Sequence, residues 1–297
     1  MAFRTKLATK WLTGLAAGLT FASGVGYLAA AYTVSRFLTR PRRRKIQVTP
    51  ADLDLPFTAQ TIRTVDGLEL QAWVVEPERP RGTIAMFHGM GHNRQHMLSR
   101  IPFLVGAGYR CVVIDHRGHG ESQGKQISIG WYEALDVMAT AQFIAERWPD
   151  QPKIALGISM GASAITMAGR ICNWDALVLE GIYPELMIAF RRRIGLNYPT
   201  WFGHLYPAVV WFTQKRLHVK ISQIKPVQAI REFEATPILF VTGSQDDLAP
   251  EEDTRQVERA AGPKAQFLLV PGAGHNDVCE VGGELYQREL LKFMERL

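Results

Sequence analysis

Gly157-Ile158-Ser159-Met160-Gly161 sets a serine between two glycines, each two residues away. The pentapeptide follows the apolar run KIAL and opens the helical run ASAITMAGR. Such a strand–turn–helix context holds a serine in a strained backbone conformation with its Oγ exposed, the arrangement of a nucleophile elbow. Side chains at the two glycine positions would collide with the neighbouring strand or helix. A serine hydroxyl attacks only when a base within reach takes its proton. Among eight histidines, His275 has the setting for that base, in Pro-Gly-Ala-Gly-His-Asn between the last expected strand and the last helix, whereas His204 and His218 read as surface or core residues. The base in turn needs a carboxylate to hold its tautomer and stabilise the imidazolium. Asp246, just past PILFVTG, is the first choice because Ser159, Asp246 and His275 then fall in the chain order of elbow enzymes. Asp247 and Glu180, the latter at the end of another strand, are the alternatives.

A tetrahedral intermediate also needs donors for its oxyanion. His88-Gly89-Met90-Gly91 follows TIAMF as a glycine-rich turn after a strand. The backbone N–H groups of Met90 and Met160 are the expected oxyanion hole. His88, His92 and His96 are spaced by four but lack the acidic partner of an H-E-x-x-H site, so no metal is expected. No P-loop or dinucleotide fingerprint occurs, and no cofactor is expected.

The elements that must position these residues follow from hydropathy. TIRTV and LELQAWVV flank Asp66-Gly67, a hairpin signal. The unalternating apolar runs TIAMFHG, YRCVVID, KIALGIS, DALVLEG, PILFVTG and AQFLLVPG suit parallel strands covered on both faces. Helical stretches fall at about 95–107, 130–147, 160–171, 251–261 and 283–296. Alternating strands and helices imply an α/β fold with a largely parallel, doubly wound sheet. The interval from Pro184 to Thr236 breaks the rhythm and reads as a helical insertion, about 185–235, over the sheet edge. Its Trp201, Phe202, Trp211 and Phe212 are candidates to line an acyl pocket or to form the insertion's own core. Arg191-Arg192-Arg193 reads as a solvated face, with an anionic head group as the alternative ligand.

The 25 residues from Trp11 to Ser35 carry no charge. As a helix they would span about 37 Å, enough for a hydrocarbon core of about 30 Å, so residues 1–35 read as an uncleaved single-pass anchor, with a cleaved signal peptide or a buried core helix as the alternatives. Six basic residues follow the segment and three precede it, which places the remainder of the chain on the cytoplasmic side. Gly14, Gly18, Ala22, Gly26 and Ala30 recur every fourth residue; such segments are commonly rich in Gly and Ala, and homodimerisation through this stripe is the secondary reading. Residues 36–57 read as a basic, proline-punctuated linker and 58–297 as one domain. The formal charge of +6 belongs to this N-terminal region: residues 1–51 hold nine basic and no acidic side chains, leaving 25 basic against 28 acidic from Asp52 onward. A nucleic-acid footprint would lie on the domain itself, so that partner is excluded. Cys111, Cys172 and Cys279 form no C-x-x-C pair and read as small buried apolar residues in a reducing compartment.

Taken in order, HGMG (88–91), DHRGHGES (115–122), GISMG (157–161) and the pair GSQDDLAP and GAGH (243–250, 272–275) resemble the α/β-hydrolase superfamily over about residues 58–297. The D-x-R-G-x-G-x-S block is similar to that of the monoglyceride-lipase, serine-aminopeptidase and lysophospholipase branch. The resemblance implies that Asp115, Arg117 and Ser122 support the site wall rather than react. With Ser rather than Asp at the elbow, it speaks against dehalogenase and epoxide hydrolase chemistry. The expected activity is hydrolysis of a carboxylic ester, lipid-like in view of the anchor and the aromatic insertion. A peptidase or thioesterase with the same triad, and a non-catalytic membrane adaptor on this scaffold, are the other readings.

Overall fold

The computed structural model describes residues 24–197 and 200–296. Eight strands form one sheet in the order β1-β2-β4-β3-β5-β6-β7-β8. The strands are β1 (Phe57–Arg63), β2 (Glu69–Val75), β3 (Gly82–Phe87), β4 (Tyr109–Ile114), β5 (Lys153–Ile158), β6 (Ala176–Glu180), β7 (Ile238–Gly243) and β8 (Ala265–Val270). β1 and β2 are the expected antiparallel hairpin, Phe57 opposite Val75, and β2 is also antiparallel to β4. From β4 to β8 all pairs are parallel. Every residue of β3, β4, β6 and β7 is buried, which is why these strands read as unbroken apolar runs.

Crossover helices cover both faces. On one face α3 (Glu133–Arg147), α4 (Met160–Ala168) and α8 (Glu251–Ala261) contribute Val137, Ile144, Ile165 and Val257 to a core with Phe87, Val112 and Phe240. On the other, α2 (Ile101–Gly106) and α9 (Val278–Met294) pack Leu104, Tyr286, Leu290 and Phe293 against Ile84, Val113 and Leu239. The expected helix at 95–107 is split: Arg94–Arg100 is a 3₁₀ segment, and α2 opens with Pro102 among its first residues, where a missing N–H costs nothing. α9 begins five residues earlier than its periodicity indicated: a helical segment from Val278 precedes Gly283, whose φ of 44° kinks the helix at the expected start. The strand order reverses between β3 and β5, and the crevice at the carboxyl ends of strands on either side of such a switch point is where doubly wound sheets bind ligands.

The interval between Pro184 and Thr236 is mainly helical. It holds α5 (Leu186–Asn197), a 3₁₀ turn (Thr200–Leu205), α6 (Tyr206–Leu217) and the short α7 (Pro226–Ala229). The described N-terminal helix, α1, runs from 24 to 39 and packs on α5 and α6. Residues 36–57 do not hang as a free linker. Arg42 bridges to His119, the Arg43 guanidinium donates to the Ser122 and Gly124 carbonyls, and Pro50–Leu53 forms a 3₁₀ turn. Of the stretch expected to cross a bilayer, residues 11–23 lie outside the described residues. Among the described residues no helix is long and apolar enough to cross a membrane. Gly14, Gly18 and Ala22 of the small-residue stripe also lie outside them, and Gly26 and Ala30 are exposed on α1.

Candidate active site

Ser159 stands between β5 and α4 with φ 51° and ψ −105°, a left-handed conformation that a side chain adopts only under strain. The flanking glycines permit it. A Cβ on Gly157 would come within 2.6 Å of the Ala162 nitrogen, and one on Gly161 within 2.2 Å of the Phe87 carbonyl oxygen. The Ser159 N–H donates to the Glu180 carbonyl at 2.8 Å, fixing the turn to β6.

The turns after β7 and β8 deliver the other two residues. Gln245 N–H donates to the Ala273 carbonyl and Gly272 N–H to Ser244 Oγ, both at 2.8 Å. Gly243 lies so close to this second turn that a Cβ would sit 2.1 Å from the Ala273 oxygen. Asp246 Oδ2 and His275 Nδ1 are 2.7 Å apart, and His275 Nε2 and Ser159 Oγ 2.9 Å apart. An ionised carboxylate only accepts, so Nδ1 carries the proton and Nε2 offers its lone pair to the serine hydroxyl. Asp246 is 4% exposed, and its Oδ1 accepts from the Leu248 and Ala249 N–H groups at 2.9 and 2.8 Å. Its orientation is therefore set before the imidazole arrives.

The two alternative carboxylates are elsewhere. Asp247 is exposed. Glu180 is buried under α2 and α9, where Arg100 Nε and Nη2 donate to its two oxygens at 3.1 and 2.6 Å and the Tyr286 hydroxyl donates to Oε1. Both oxygens of Glu180 are thus already engaged.

Met90 lines the cavity that Ser159 and His275 open into. Gly89 in the same loop is so near that a Cβ would lie 3.8 Å from Ser159 Cβ. Met160 is the first residue of α4, where an N–H has no acceptor within the helix. The 88–91 loop is braced on either side of Met90 by two histidines. His88 Nε2 accepts from the His116 N–H at 3.1 Å, so its Nδ1–H donates to the Gly89 carbonyl at 2.8 Å. His119 Nε2 accepts from the Gly91 N–H at 3.1 Å, and its Nδ1–H donates to the Arg117 carbonyl at 3.0 Å. Burial holds both rings neutral, His119 down to about 4 and His88 well below its ordinary value. Neither bracing role was read from the sequence; the signal for His119 was its place inside DHRGHGES.

The rest of that block is structural in the way the resemblance implied. Asp115 Oδ1 accepts from Arg94 N–H at 2.7 Å, Oδ2 pairs with the Arg94 guanidinium, and Ser122 Oγ donates to the Asp115 carbonyl at 2.6 Å. Arg117 joins Asp136, at 2.7 Å, to Asp66 of the β1–β2 turn, at 2.8 Å. His92 and His96 stack at 3.9 Å beside the site, and burial first, then nearby cations and histidines, lowers them to about 4 and about 3.

The cavity over Ser159 has a volume of about 40 Å³ and is lined by Ile129, Tyr183, Leu186, Phe190, Arg193 and Leu248 among others. Leu186, Phe190 and Arg193 come from α5. Trp211 and Phe212 do not line it: Trp211 is 53% exposed, and Phe212 packs edge-on to Tyr32 of α1, centroids 5.4 Å apart. The side chains of Trp201 and Phe202 lie outside the described residues. The arginine run is divided among three partners, with Arg191 over the Tyr206 ring, Arg192 paired to Asp253, and Arg193 at the cavity.

The chain has the α/β-hydrolase fold. Residues 78–192, less than half of the chain, match a family described as serine aminopeptidase, S33. An esterase of Pyrococcus furiosus, Pf2001, superposes with a TM-score of 0.73 at 21% identity, over 87% of this chain and 98% of the esterase. Among curated sequences, the uncharacterized protein YqkD of Bacillus subtilis is 27% identical over 81% of this chain and 80% of its own length. The α/β hydrolase domain-containing protein WAV2 of Arabidopsis thaliana is 26% identical over 84% of this chain and 82% of its own length. At these identities the structural likeness establishes the fold, and hydrolytic chemistry is argued from the site.

Proposed function

We propose that the protein is a serine hydrolase that cleaves a carboxylic ester through an acyl-enzyme, with Ser159 as nucleophile, His275 as general base and Asp246 as its orienting carboxylate. The observation that carries this reading is the unbroken hydrogen-bonded chain from Asp246 through His275 to a serine on a strained elbow. Ser159 Oγ attacks the acyl carbonyl as His275 Nε2 takes the hydroxyl proton. The N–H groups of Met90 and Met160 receive the developing oxyanion. The imidazolium then returns the proton to the leaving oxygen, and a water, deprotonated by the same nitrogen, releases the acid. No metal or cofactor enters these steps. The apolar lining supplied by Ile129, Leu186, Phe190 and Leu248 favours a lipid-like acyl group. We place the protein at a membrane through the uncharged stretch 11–35, of which residues 24–35 belong to α1 and pack on the insertion, with the catalytic domain on the cytoplasmic side.

A fluorophosphonate probe, which traps only an activated serine, tests the assignment. Wild type is expected to label, and Ser159→Ala and His275→Ala to lose labelling while retaining the wild-type melting profile. Absence of labelling in folded wild type would mean that the insertion closes the site or that the site is not catalytic, and would move the adaptor reading ahead. Because the matched family is described as a peptidase, parallel assays with one acyl group as ester, thioester and amide decide the leaving group; turnover of the amide alone would overturn the ester reading.

A further inference from the structure

Residues 24–35 of α1 carry no charged side chain, yet most of them are exposed, including Val25 and Leu28 at 50% and Tyr32 at 41%. A helix that faces water all along one side carries charged or polar residues there, whereas this face carries no charge and, besides Thr33, whose hydroxyl donates to the Ala29 carbonyl at 2.8 Å, only small, apolar and aromatic side chains. The opposite face is fixed to the insertion. Ala31 and Leu38 are buried with Phe190 and Ile194 of α5 and Val209 of α6. Three hydrogen bonds stitch the same contact: Tyr27 Oη to the His204 carbonyl at 2.7 Å, Thr213 Oγ1 to Ser35 Oγ at 3.1 Å, and Arg216 Nη1 to Thr39 Oγ1 at 2.7 Å. Displacing α5 or α6 therefore means displacing α1.

The exposed face continues across that contact. Tyr32 meets Phe212, and Phe212 meets Trp211 at 4.8 Å between centroids, with Trp211 turned outward on α6. Cations close one end of it: Arg36 on α1, then Arg40 and Arg42, whose guanidinium groups lie 4.5 and 4.8 Å from the centroid of the exposed Phe37 ring. An apolar surface carrying Trp and Tyr and bordered by cations fits the interfacial layer of an anionic bilayer. Beneath this surface, the cavity over Ser159 is walled by Leu186, Phe190 and Arg193 of α5. Phe190 belongs both to the α1 contact and to this wall, so a shift of the joined helices reshapes the way to Ser159.

We infer that α1, α5 and α6 form a single lid whose outer face, through Leu28, Tyr32 and Trp211, docks into the surface of an anionic bilayer, so that an acyl chain reaches Ser159 from lipid rather than from water. The inference rests on the membrane placement proposed above and extends it from a tether to the lid itself.

The test attaches an environment-sensitive fluorophore, one site at a time, to the full-length variants Leu28→Cys, Trp211→Cys, Val65→Cys and Ile171→Cys. The native cysteines are at most 4% exposed and stay unlabelled, whereas Val65, at 83% on the β1–β2 turn, and Ile171, at 71% on the 3₁₀ turn after α4, are exposed controls outside the lid. Each protein is reconstituted in phosphatidylcholine–phosphatidylglycerol vesicles containing a nitroxide-labelled phospholipid. Severalfold stronger quenching at 28 and 211 than at 65 and 171 is the expected result. Quenching at 28 but not at 211 would mean a plain tether and would overturn the lid inference while leaving the membrane placement standing. Labels at 28 and 211 that are shielded from aqueous iodide yet unquenched by lipid would assign the face to a second copy of the chain, and overturn it as well. Failure of all four proteins to associate with vesicles would refute the membrane placement and this inference together. None of these readouts depends on hydrolysis, so they stand apart from the fluorophosphonate result.

Discussion

A carboxylate orients an imidazole only where a free oxygen lies within reach of the ring, as Asp246 Oδ2 does at 2.7 Å from His275 Nδ1, whereas both Glu180 oxygens point to Arg100 and Tyr286. That separates Asp246 from Glu180, two acids that both follow strands of the same sheet. Local sequence ranks them by chain order alone. Arg100, 80 positions from Glu180, and Tyr286, 106 positions away, are the residues that decide it, and no local pattern links them. Removing one partner of a buried ion pair typically costs about 3–5 kcal/mol. Glu180→Gln should therefore lower the urea midpoint sharply while the folded fraction still labels with fluorophosphonate. Asp246→Asn should change the unfolding free energy by no more than about 1 kcal/mol and lose labelling, because the histidine tautomer is no longer held. The reverse pattern would exchange their roles. Glycines divide as clearly. Gly161→Ala forces a methyl group onto the Phe87 carbonyl and should abolish accumulation of folded protein, whereas Gly195→Ala, on α5 with nothing within 4 Å, should gain about 0.5–1 kcal/mol. Paired thermal melts check both.

At the scale of elements, the strands, the α8 boundaries and the existence of an insertion were legible, because burial on both sheet faces and helical periodicity are local properties. Which aromatic residues of the insertion face the site was not. Trp211 and Phe212 carry the apolar character of pocket residues, but α1 supplies their neighbour, and Phe190 takes the cavity wall instead. Phe190→Ala should accordingly shift the preferred acyl chain to greater length, while Trp211→Ala leaves turnover of a short, water-soluble ester unchanged. The loop between β3 and α2 is a second element whose support was hidden, since His88 and His119 act through backbone groups. Their neutral rings, with those of His92 and His96, give the fold a pH dependence. In the unfolded chain histidines protonate near 6.5, but here burial keeps His119 and His92 neutral to about 4 and His96 to about 3. The unfolded state then binds more protons across that window, so stability is fully present above pH 6.5 and falls as the pH drops toward 4. Each such histidine contributes a slope of up to about 1.4 kcal/mol per pH unit. Urea midpoints at pH 7 and pH 5 should differ, and by less in His119→Gln. An equal loss in that variant would assign the slope to other groups.

Over the whole molecule, the partition of charge and apolar surface separates the first fifty residues from the rest in the sequence, and the structure then joins them. A tether attached by a free linker adds nothing to the stability of the domain it holds. Here α1 buries Ala31 and Leu38 against the insertion, and Arg43 binds the carbonyls of Ser122 and Gly124. Deleting residues 1–39 would expose Val209, Ile194 and the outer side of Phe190, apolar groups worth about 1.5–3 kcal/mol each when fully buried. Part of that loss is recovered as α5 and α6 relax, so a net cost on the order of 2–4 kcal/mol is expected, or roughly 5–10 °C in melting temperature for a domain of this size. The truncated protein should also bind an apolar dye at its insertion and hydrolyse soluble esters faster at low temperature, since the lid has lost the helix that holds it down. Differential scanning calorimetry, dye fluorescence and initial rates on one preparation check the three together. A truncated protein that melts with wild type and binds no dye would return α1 to the role of a tether and leave the lid to α5 and α6 alone.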